Sequence, residues 1–140
     1  MESSDKSVQC VVVTPEKAVL DEPVDFVALP MYDGELGVLP GRAPLIGRLG
    51  YGELRTRRAN DIRRFYVDGG FVQVRANVVT VLTPKAIRAE NINAAAAEEA
   101  LEKAKGLAKT PEEQTNLEKA QQRARAQLAI ARRGHEEVRH

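Results

Sequence analysis

The sequence is poor in the residues that build metal sites, disulfides and activated nucleophiles. Its 140 residues include one cysteine, Cys10, two histidines, His135 and His140, and no tryptophan. A single cysteine excludes an internal disulfide and a cysteine-based zinc site, and the valines that follow Cys10 favour a small buried side chain there. Both histidines lie near the C-terminus, where a solvated tail is favoured over metal ligation. We therefore expect no catalytic residue, no metal site and no cofactor.

Long apolar runs and an excess of one charge are also missing. The longest apolar runs have four residues, whereas a transmembrane helix needs about 20. Lys plus Arg is 21 and Asp plus Glu is 20, so no net field draws the chain towards nucleic acid or anionic lipid. Residues 1–7 are polar, which predicts no signal peptide. We expect neither nucleic-acid binding nor direct insertion into a membrane.

The composition changes near residue 86. Of 15 valines, 14 lie in residues 1–86, whereas 13 of 19 alanines lie in residues 87–140. Valine punctuated by glycine and proline is typical of strands and turns, and alanine mixed with Glu, Lys, Gln and Arg is typical of helices. The sequence therefore predicts two domains, an all-β domain over residues 1–86 and an α-helical domain over residues 87–140.

The first domain is predicted to contain nine short strands without an intervening helix. Residues 71–75 alternate apolar and polar side chains, so one face of that strand is buried. Ala76-Asn77 separates two such runs and predicts a tight hairpin. The pattern favours an antiparallel β-sandwich or flattened barrel. The nine predicted strands are residues 8–14, 17–20, 24–29, 35–38, 43–48, 52–57, 62–67, 71–75 and 78–82.

The second domain is predicted to be an antiparallel hairpin of two helices. Asn93 is a candidate N-cap for a first helix over residues 94–105. Thr110 and Glu113 have the spacing of a capping box for the second helix, and Gly134 is a candidate end. The apolar stripe of the hairpin is thin, because it consists of three leucines and otherwise alanines. We therefore expect a small free-energy difference between the docked and the detached hairpin.

Three charged groups allow a functional interpretation beside a structural one. Asp33 and Glu35 flank Gly34, where turn formation is favoured over acid–base chemistry. Five arginines between residues 55 and 64 are interpreted as a solvated hairpin tip rather than a nucleic-acid contact. On the second helix, three arginines recur every seven residues, and either a solvated flank or a docking edge for an acidic partner fits them. They are Arg125, Arg132 and Arg139.

Two segments carry a resemblance to a known family. Residues 29–45, LPMYDGELGVLPGRAPL, and residues 67–74, VDGGFVQV, closely resemble the epsilon subunit of F-type ATP synthases. The resemblance covers about residues 7–133 and has the same order of sandwich and helical hairpin. It implies a non-catalytic subunit whose sandwich grips the gamma subunit and sits on the rotor ring of c subunits. The hairpin of such a subunit folds against the sandwich or extends into the catalytic hexamer of alpha and beta subunits, where it blocks rotation.

The resemblance also implies roles for individual residues. Glu35 and Arg42 match positions that face the polar loops of the rotor ring, although the second of these is often His in relatives. Asp68 stands where relatives usually have a small polar residue. Four arginines match a basic region that meets an acidic segment of the catalytic beta subunit. These are Arg123, Arg125, Arg132 and Arg133. The implied location is peripheral, at the cytoplasmic face of a bacterial plasma membrane.

One motif of the family is altered. Many relatives bind ATP through an Asp and an Arg at the start of the first helix, and Asn93 and Ala96 replace them here. The change removes a positive charge from the phosphate contact, so no nucleotide site is expected. Two alternatives to a rotor subunit remain at this stage, namely an ATP-sensing binding module and a coiled-hairpin adaptor of another machine.

Overall fold

The computed structural model describes the backbone of residues 7–138 and the side chains of residues 7–134. Arg139, His140 and the side chain of His135, all named above, lie outside the described residues, as does most of the segment before β1. Eight strands are followed by a short 3₁₀ turn and two helices. The strands are β1 Val8–Val13, β2 Ala18–Val24, β3 Phe26–Met31, β4 Gly34–Val38, β5 Leu45–Arg58, β6 Asp61–Arg75, β7 Val78–Leu82 and β8 Ala86–Arg88. The 3₁₀ turn is Ala89–Asn91, and the helices are α1 Ala94–Lys103 and α2 Pro111–Val138.

The strands form one sheet that folds over into a sandwich. Their order is β2-β1-β7-β6-β5-β3-β4, and β8 pairs with β6. Neighbours run antiparallel except β1 and β7, which are parallel. Apolar side chains from β1 to β7 meet in a single cluster, so the two ends of the sheet face each other across one core. This arrangement confirms the predicted β-sandwich followed by a helical pair.

Four predicted strands merge into the two long strands β5 and β6. The glycines that suggested breaks instead bend continuous strands or admit close neighbours. A Cβ at Gly50 would lie 3.2 Å from the carbonyl oxygen of Met31, and Gly70 has a φ of +109° and no room for a Cβ beside the Leu82 carbonyl. Pro23 likewise does not end β2, because β2 lies at the edge of the sheet, where a missing N–H is tolerated.

Local capping chemistry sets the starts of both helices, as predicted. The Asn93 side chain accepts a hydrogen bond from the Ala96 N–H at 3.0 Å. Thr110 Oγ1 accepts from the Glu113 N–H at 3.1 Å. The Glu113 carboxylate reaches back to the N–H of Lys109 at 2.9 Å, one residue before the position that a regular capping box uses. The predicted end at Gly134 is wrong, because α2 continues through it to Val138.

Helix α2 uses two faces, of which only one was predicted. Gln121 donates to the Ala104 carbonyl at 2.7 Å, so the face of α2 that carries Gln121 contacts the end of α1. Ala124 and Ala131 share that face by helical spacing and are buried. The second face carries Ile130, which packs against the sandwich. The boundary predicted after residue 86 falls inside β8, whose pairing with β6 brings the chain directly to this contact.

Candidate interaction surfaces

A small apolar contact holds α2 against the sandwich. Ile130 is 1% exposed and packs with Tyr66 of β6 and Ala89 of the 3₁₀ turn. A Cβ at Gly134 would lie only 2.7 Å from the Cβ of Ala89. Glycine at this position therefore lets α2 cross the turn closely, which explains why Gly134 lies inside the helix rather than at its end.

Asp68 joins the sandwich to α2 beside this contact. It accepts hydrogen bonds from the Tyr66 hydroxyl and from Nε of Arg123, both at 2.9 Å. Arg123 also donates to the Tyr51 hydroxyl at 3.1 Å, and its guanidinium lies over the Tyr51 ring at 4.5 Å. The Asp68 side chain is 20% exposed. Asp68, which the resemblance singled out, thus has a structural partner, an arginine 55 residues later in the chain.

These contacts change the acidities of the groups around Asp68. Burial alone lowers the pKa of Arg123, but the hydrogen bond and charge of Asp68 outweigh burial and raise it. The pKa of the Tyr66 hydroxyl is raised, first by burial and then by Asp68. Gln127 of α2 hydrogen-bonds the same hydroxyl. Tyr66 therefore remains neutral and acts as a fixed donor between the carboxylate and the helix.

Glu53 of β5 makes the second charged contact with α2. Its carboxylate lies 2.7 Å from Nε and Nη2 of Arg133, 2.6 Å from Arg64 and 3.1 Å from Arg55. The Glu53 side chain is only 10% exposed. Burial alone raises the pKa of Glu53, but the hydrogen bonds and charges of these arginines outweigh burial and hold its pKa below the ordinary value. Glu53 is therefore ionised at neutral pH.

The four arginines expected to meet a partner divide into two pairs. Arg123 and Arg133 bind carboxylates of the sandwich, whereas Arg125 and Arg132 are exposed. Helical geometry explains the division, because Arg123, Ile130 and Arg133 follow the i, i+7, i+10 spacing of one face. A solvated flank therefore describes Arg125 and Arg132 in this structure, and their docking role stays a prediction.

Glu35 and Arg42 lie near opposite ends of β4, and both are exposed. Glu35 lies 3.7 Å from Arg55. Arg42 follows a turn in which Gly41, with a φ of +87°, donates its N–H to the Asn77 side chain at 2.8 Å. The structure does not bring the two side chains together, and it leaves each of them accessible to a partner.

The arginines between residues 55 and 64 are largely matched with carboxylates. Besides the pairs made by Arg55 and Arg64, Arg63 lies 3.2 Å from Glu22 and 3.3 Å from Asp61. Arg57 and Arg58 are exposed near the hairpin tip. Much of the cluster therefore serves the fold, with a solvated tip, and offers no concentrated positive field.

An exposed apolar surface on the sandwich was not predicted from the sequence. Ile46 is 79% exposed and Phe71 is 59% exposed. Phe71 lies opposite Leu82, and Gln73 lies opposite Ile46, so these side chains share the outer face of β5, β6 and β7. The exposed apolar side chains of this face are Ile46, Phe71, Val78 and Leu82, and we call them the outer patch. The available signal was Phe71 itself, an apolar residue on the otherwise polar side of an alternating strand.

The chemistry of the remaining candidates is limited. Cys10 is buried, and burial, followed by Glu22 and Asp21, raises the pKa of its thiol to about 12, which agrees with its predicted structural role. Within the described residues, no group of three His, Cys, Asp or Glu side chains is arranged for a metal ion.

No described helix has the length and apolarity needed to cross a membrane. Asn93 is engaged as a helix cap beside Ala96.

The fold and these surfaces define a sandwich protein with a C-terminal helical hairpin that is held by ion pairs and carries exposed arginines. The family model for the ATP synthase, Delta/Epsilon chain, beta-sandwich domain matches residues 7–89. The ATP synthase epsilon chain of Rhodopirellula baltica is 50% identical over 127 residues, which cover 90% of this chain and 99% of that one. That of Pelotomaculum thermopropionicum is 46% identical over 101 residues, covering 72% and 75%. The chain belongs to the ATP synthase epsilon chain family.

Solved structures support the fold across the whole chain. A chain in the mitochondrial ATP synthase of Euglena gracilis, solved as OSCP/F1/c-ring, matches with a TM-score of 0.70 and 23% identity, covering 95% of this chain and 82% of that one. A chain in the central stalk/c-ring structure of the Tetrahymena thermophila enzyme matches with a TM-score of 0.70 and 14% identity, covering 89% and 96%. At these identities the likeness establishes the fold.

Proposed function

We propose that the chain is a non-catalytic central-stalk subunit of an F-type ATP synthase. It couples rotation of the rotor ring to the catalytic hexamer and inhibits ATP hydrolysis through α1 and α2. The observation that carries the proposal is the attachment of α2 to the sandwich of an epsilon-family chain by a small apolar contact and two ion pairs. The sandwich has its own large core, so α2 is separable from it.

The sandwich is the part that we assign to the gamma subunit and the rotor ring. The outer patch is the candidate contact for gamma, because exposed apolar side chains on one face are favourably buried against a protein partner. Glu35 and Arg42 carry opposite charges and are accessible, which suits contacts with the polar loops of the c subunits.

The helical hairpin is the part that we assign to the alpha and beta subunits. When α2 leaves the sandwich, all four of its partner-directed arginines become available to an acidic segment of beta. These are Arg123, Arg125, Arg132 and Arg133. In this proposal the chain is a peripheral component at the cytoplasmic face of a bacterial plasma membrane, and it does not itself enter the bilayer.

The proposal is tested by ATPase assays of the reconstituted alpha, beta and gamma complex. Adding the full chain should lower ATP hydrolysis, and adding residues 1–91 should not, although the fragment still co-purifies with gamma. Changing Arg125 and Arg132 to Ala should relieve inhibition several-fold, because alanine preserves the helix. The matched control changes the exposed Arg57 and Arg58 to Ala and should leave inhibition intact. A full chain that fails to bind gamma would contradict the proposal.

A calorimetric titration separates this function from ATP sensing. A bound triphosphate needs positive charge near its phosphates, and Ala96 supplies none. Loss of one charge-assisted contact weakens affinity by roughly ten- to a hundredfold. We therefore expect no micromolar binding of ATP to the isolated chain, and tighter binding after Asn93→Asp with Ala96→Arg. Micromolar binding by the unchanged chain would favour the ATP-sensing alternative.

A further inference from the structure

Two ion pairs fasten helix α2 to the sandwich at separate points. Arg123 binds Asp68, and Arg133 binds Glu53. The two arginines are ten residues apart, which is about 15 Å along a helix. Ile130 lies between them and is a large apolar side chain that is 1% exposed. The ion pairs therefore flank a narrow apolar contact and fix both the position and the rotation of the helix.

The two carboxylates differ in what they retain when α2 leaves. Glu53 keeps Arg64 and Arg55, both of which belong to the sandwich. Asp68 keeps the Tyr66 hydroxyl, whereas its cationic partner is Arg123 of α2. Release of α2 separates Asp68 from Arg123, whereas Glu53 still contacts two arginines, so the favourable charge interactions of Asp68 change more than those of Glu53. The free energy of docking therefore depends more on Asp68 than on Glu53.

We propose that Asp68 with Arg123 and Glu53 with Arg133 form an ionic latch that sets the docking equilibrium of the hairpin, with residue 68 as its main determinant. The latch occupies two of the four arginines that the proposed function assigns to the beta subunit. Docking and partner binding therefore compete for the same charges, and this second statement rests on the proposed function. A small polar residue at position 68 leaves the hairpin more readily released.

The latch is tested first on the isolated full chain. Spin labels are placed at Leu107→Cys, at the hairpin tip, and at Arg58→Cys, on the sandwich, both of which are exposed. Cys10 is buried with a raised pKa, so we expect it to stay unlabelled while the sandwich is folded. The distribution of distances between the labels gives the docked fraction. The inertness of Cys10 towards thiol reagents reports that the sandwich is folded in every variant.

Asp68→Ser and Arg123→Gln should each lower the docking equilibrium constant by roughly tenfold. Arg133→Gln should lower it less, and the control Arg125→Gln should leave it unchanged. Raising the salt concentration from 50 mM to 1 M should release the unchanged chain but have little further effect on Arg123→Gln with Arg133→Gln. The charge exchange Asp68→Lys with Arg123→Glu should restore docking relative to either single change. Docking that is insensitive to both Asp68→Ser and salt would overturn the proposal.

The reconstituted complex separates failure of the latch from failure of the proposed function. Asp68→Ser releases the hairpin with all four arginines intact, so it should strengthen inhibition of ATP hydrolysis. Arg125→Gln leaves docking unchanged and should weaken inhibition. A variant that releases the hairpin without changing hydrolysis would retain the latch and contradict the inhibitory role. Unchanged docking in Asp68→Ser would contradict the latch whatever hydrolysis does.

Discussion

At the scale of single residues, Gly134 has opposite effects on the stability of helix α2 and on the docking of that helix against Ala89. Glycine in a helix interior is destabilising by about 1 kcal/mol relative to alanine. A Cβ at position 134 would nevertheless lie 2.7 Å from that of Ala89, inside van der Waals contact. Glycine at position 134 therefore lowers the stability of the helix but allows a closer contact between α2 and the 3₁₀ turn.

Gly134→Ala should strengthen the helix and weaken its docking. We expect helix content to be maintained or increased by circular dichroism, while the docked fraction from spin-label distances falls severalfold. Gly106→Ala is the matched control, because a Cβ there would lie 3.7 Å from the nearest atom, an ordinary contact. Unchanged docking in Gly134→Ala would show that the 3₁₀ turn can move to accommodate the added methyl group without a loss of docking free energy.

Residues whose partners are local were predictable from the sequence, and residues with distant partners were not. The caps Asn93 and Thr110 bind N–H groups three residues away, so their spacing alone identified them. The roles of Asp68 and Gly134 depend on contacts 55 and 45 positions distant in the chain. No periodicity or turn motif records a contact of that kind.

At the scale of elements, α2 is a helix with two buried faces rather than one. The predicted stripe contains Ala124 and Ala131, which are buried, but it omits Ile130. The omission arose because a single apolar isoleucine among Arg, Gln and Ala does not produce a periodic signal. Its burial depends on Tyr66, and the sequence did not predict that β6 would present this ring to α2.

Ile130→Ala should uncouple the hairpin from the sandwich while both remain folded. Truncating a buried isoleucine typically costs about 2–5 kcal/mol, and here the loss falls on docking because Ile130 contacts the sandwich and not its core. Spin-label distances should show a mainly released hairpin. Asn116→Ala is the control, because Asn116 is exposed on the same helix and leaves both label positions unchanged. Loss of Cys10 protection in Ile130→Ala would mean that the sandwich depends on this contact.

The ion pairs of Glu53 predict that docking weakens in acid. Arg133 of α2 is one of the groups that lower the pKa of Glu53, so we expect this pKa to be lower in the docked chain than in the released chain, where Arg55 and Arg64 remain. The stabilisation that docking gains from Glu53 is present at neutral pH and is lost as pH falls through the pKa of the docked state. The charges facing it are Arg55 on β5, Arg64 on β6 and Arg133 on α2. We expect the docked fraction to fall in acid, as pH approaches the lowered pKa of Glu53.

Glu53→Gln isolates the contribution of this carboxylate to the acid sensitivity of docking. The variant should dock less at neutral pH and lose less docking on acidification than the unchanged chain. The difference between the two acid titrations measures what Glu53 contributes. Parallel titration curves would show that Glu53 does not cause the acid sensitivity of docking.

At the scale of the whole molecule, the division into sandwich and hairpin was predictable because composition differs sharply on the two sides. The exact junction was not, since β8 and the 3₁₀ turn lie just beyond the compositional change near residue 86. The parallel pairing of β1 with β7 was also not predicted, because alternation reveals which face of a strand is buried but not its neighbour. The order of the strands follows from contacts between distant parts of the chain.

Residues 1–91 should fold alone, and residues 1–88 should fold less stably. The longer fragment keeps Ala89, which is buried against Tyr66 at the end of the sandwich. The shorter fragment exposes more of the Tyr66 ring and ends immediately after β8. Thermal unfolding followed by circular dichroism should give a lower midpoint for residues 1–88, and gamma should capture residues 1–91. Equal midpoints would show that the 3₁₀ turn does not contribute to the stability of the sandwich.

The parallel pairing of β1 and β7 has a consequence for synthesis on the ribosome. β1 lies between β2 and β7, so the first strand to emerge lacks one of its two neighbours until residues 78–82 have followed it. The sandwich therefore cannot close progressively from its N-terminus, and its cooperative folding step awaits β7. Both helices follow β7 in the chain, so they leave the exit tunnel later than β7 does. We expect the nascent hairpin to meet a folded sandwich, on which Tyr66 is open to water until Ile130 covers it.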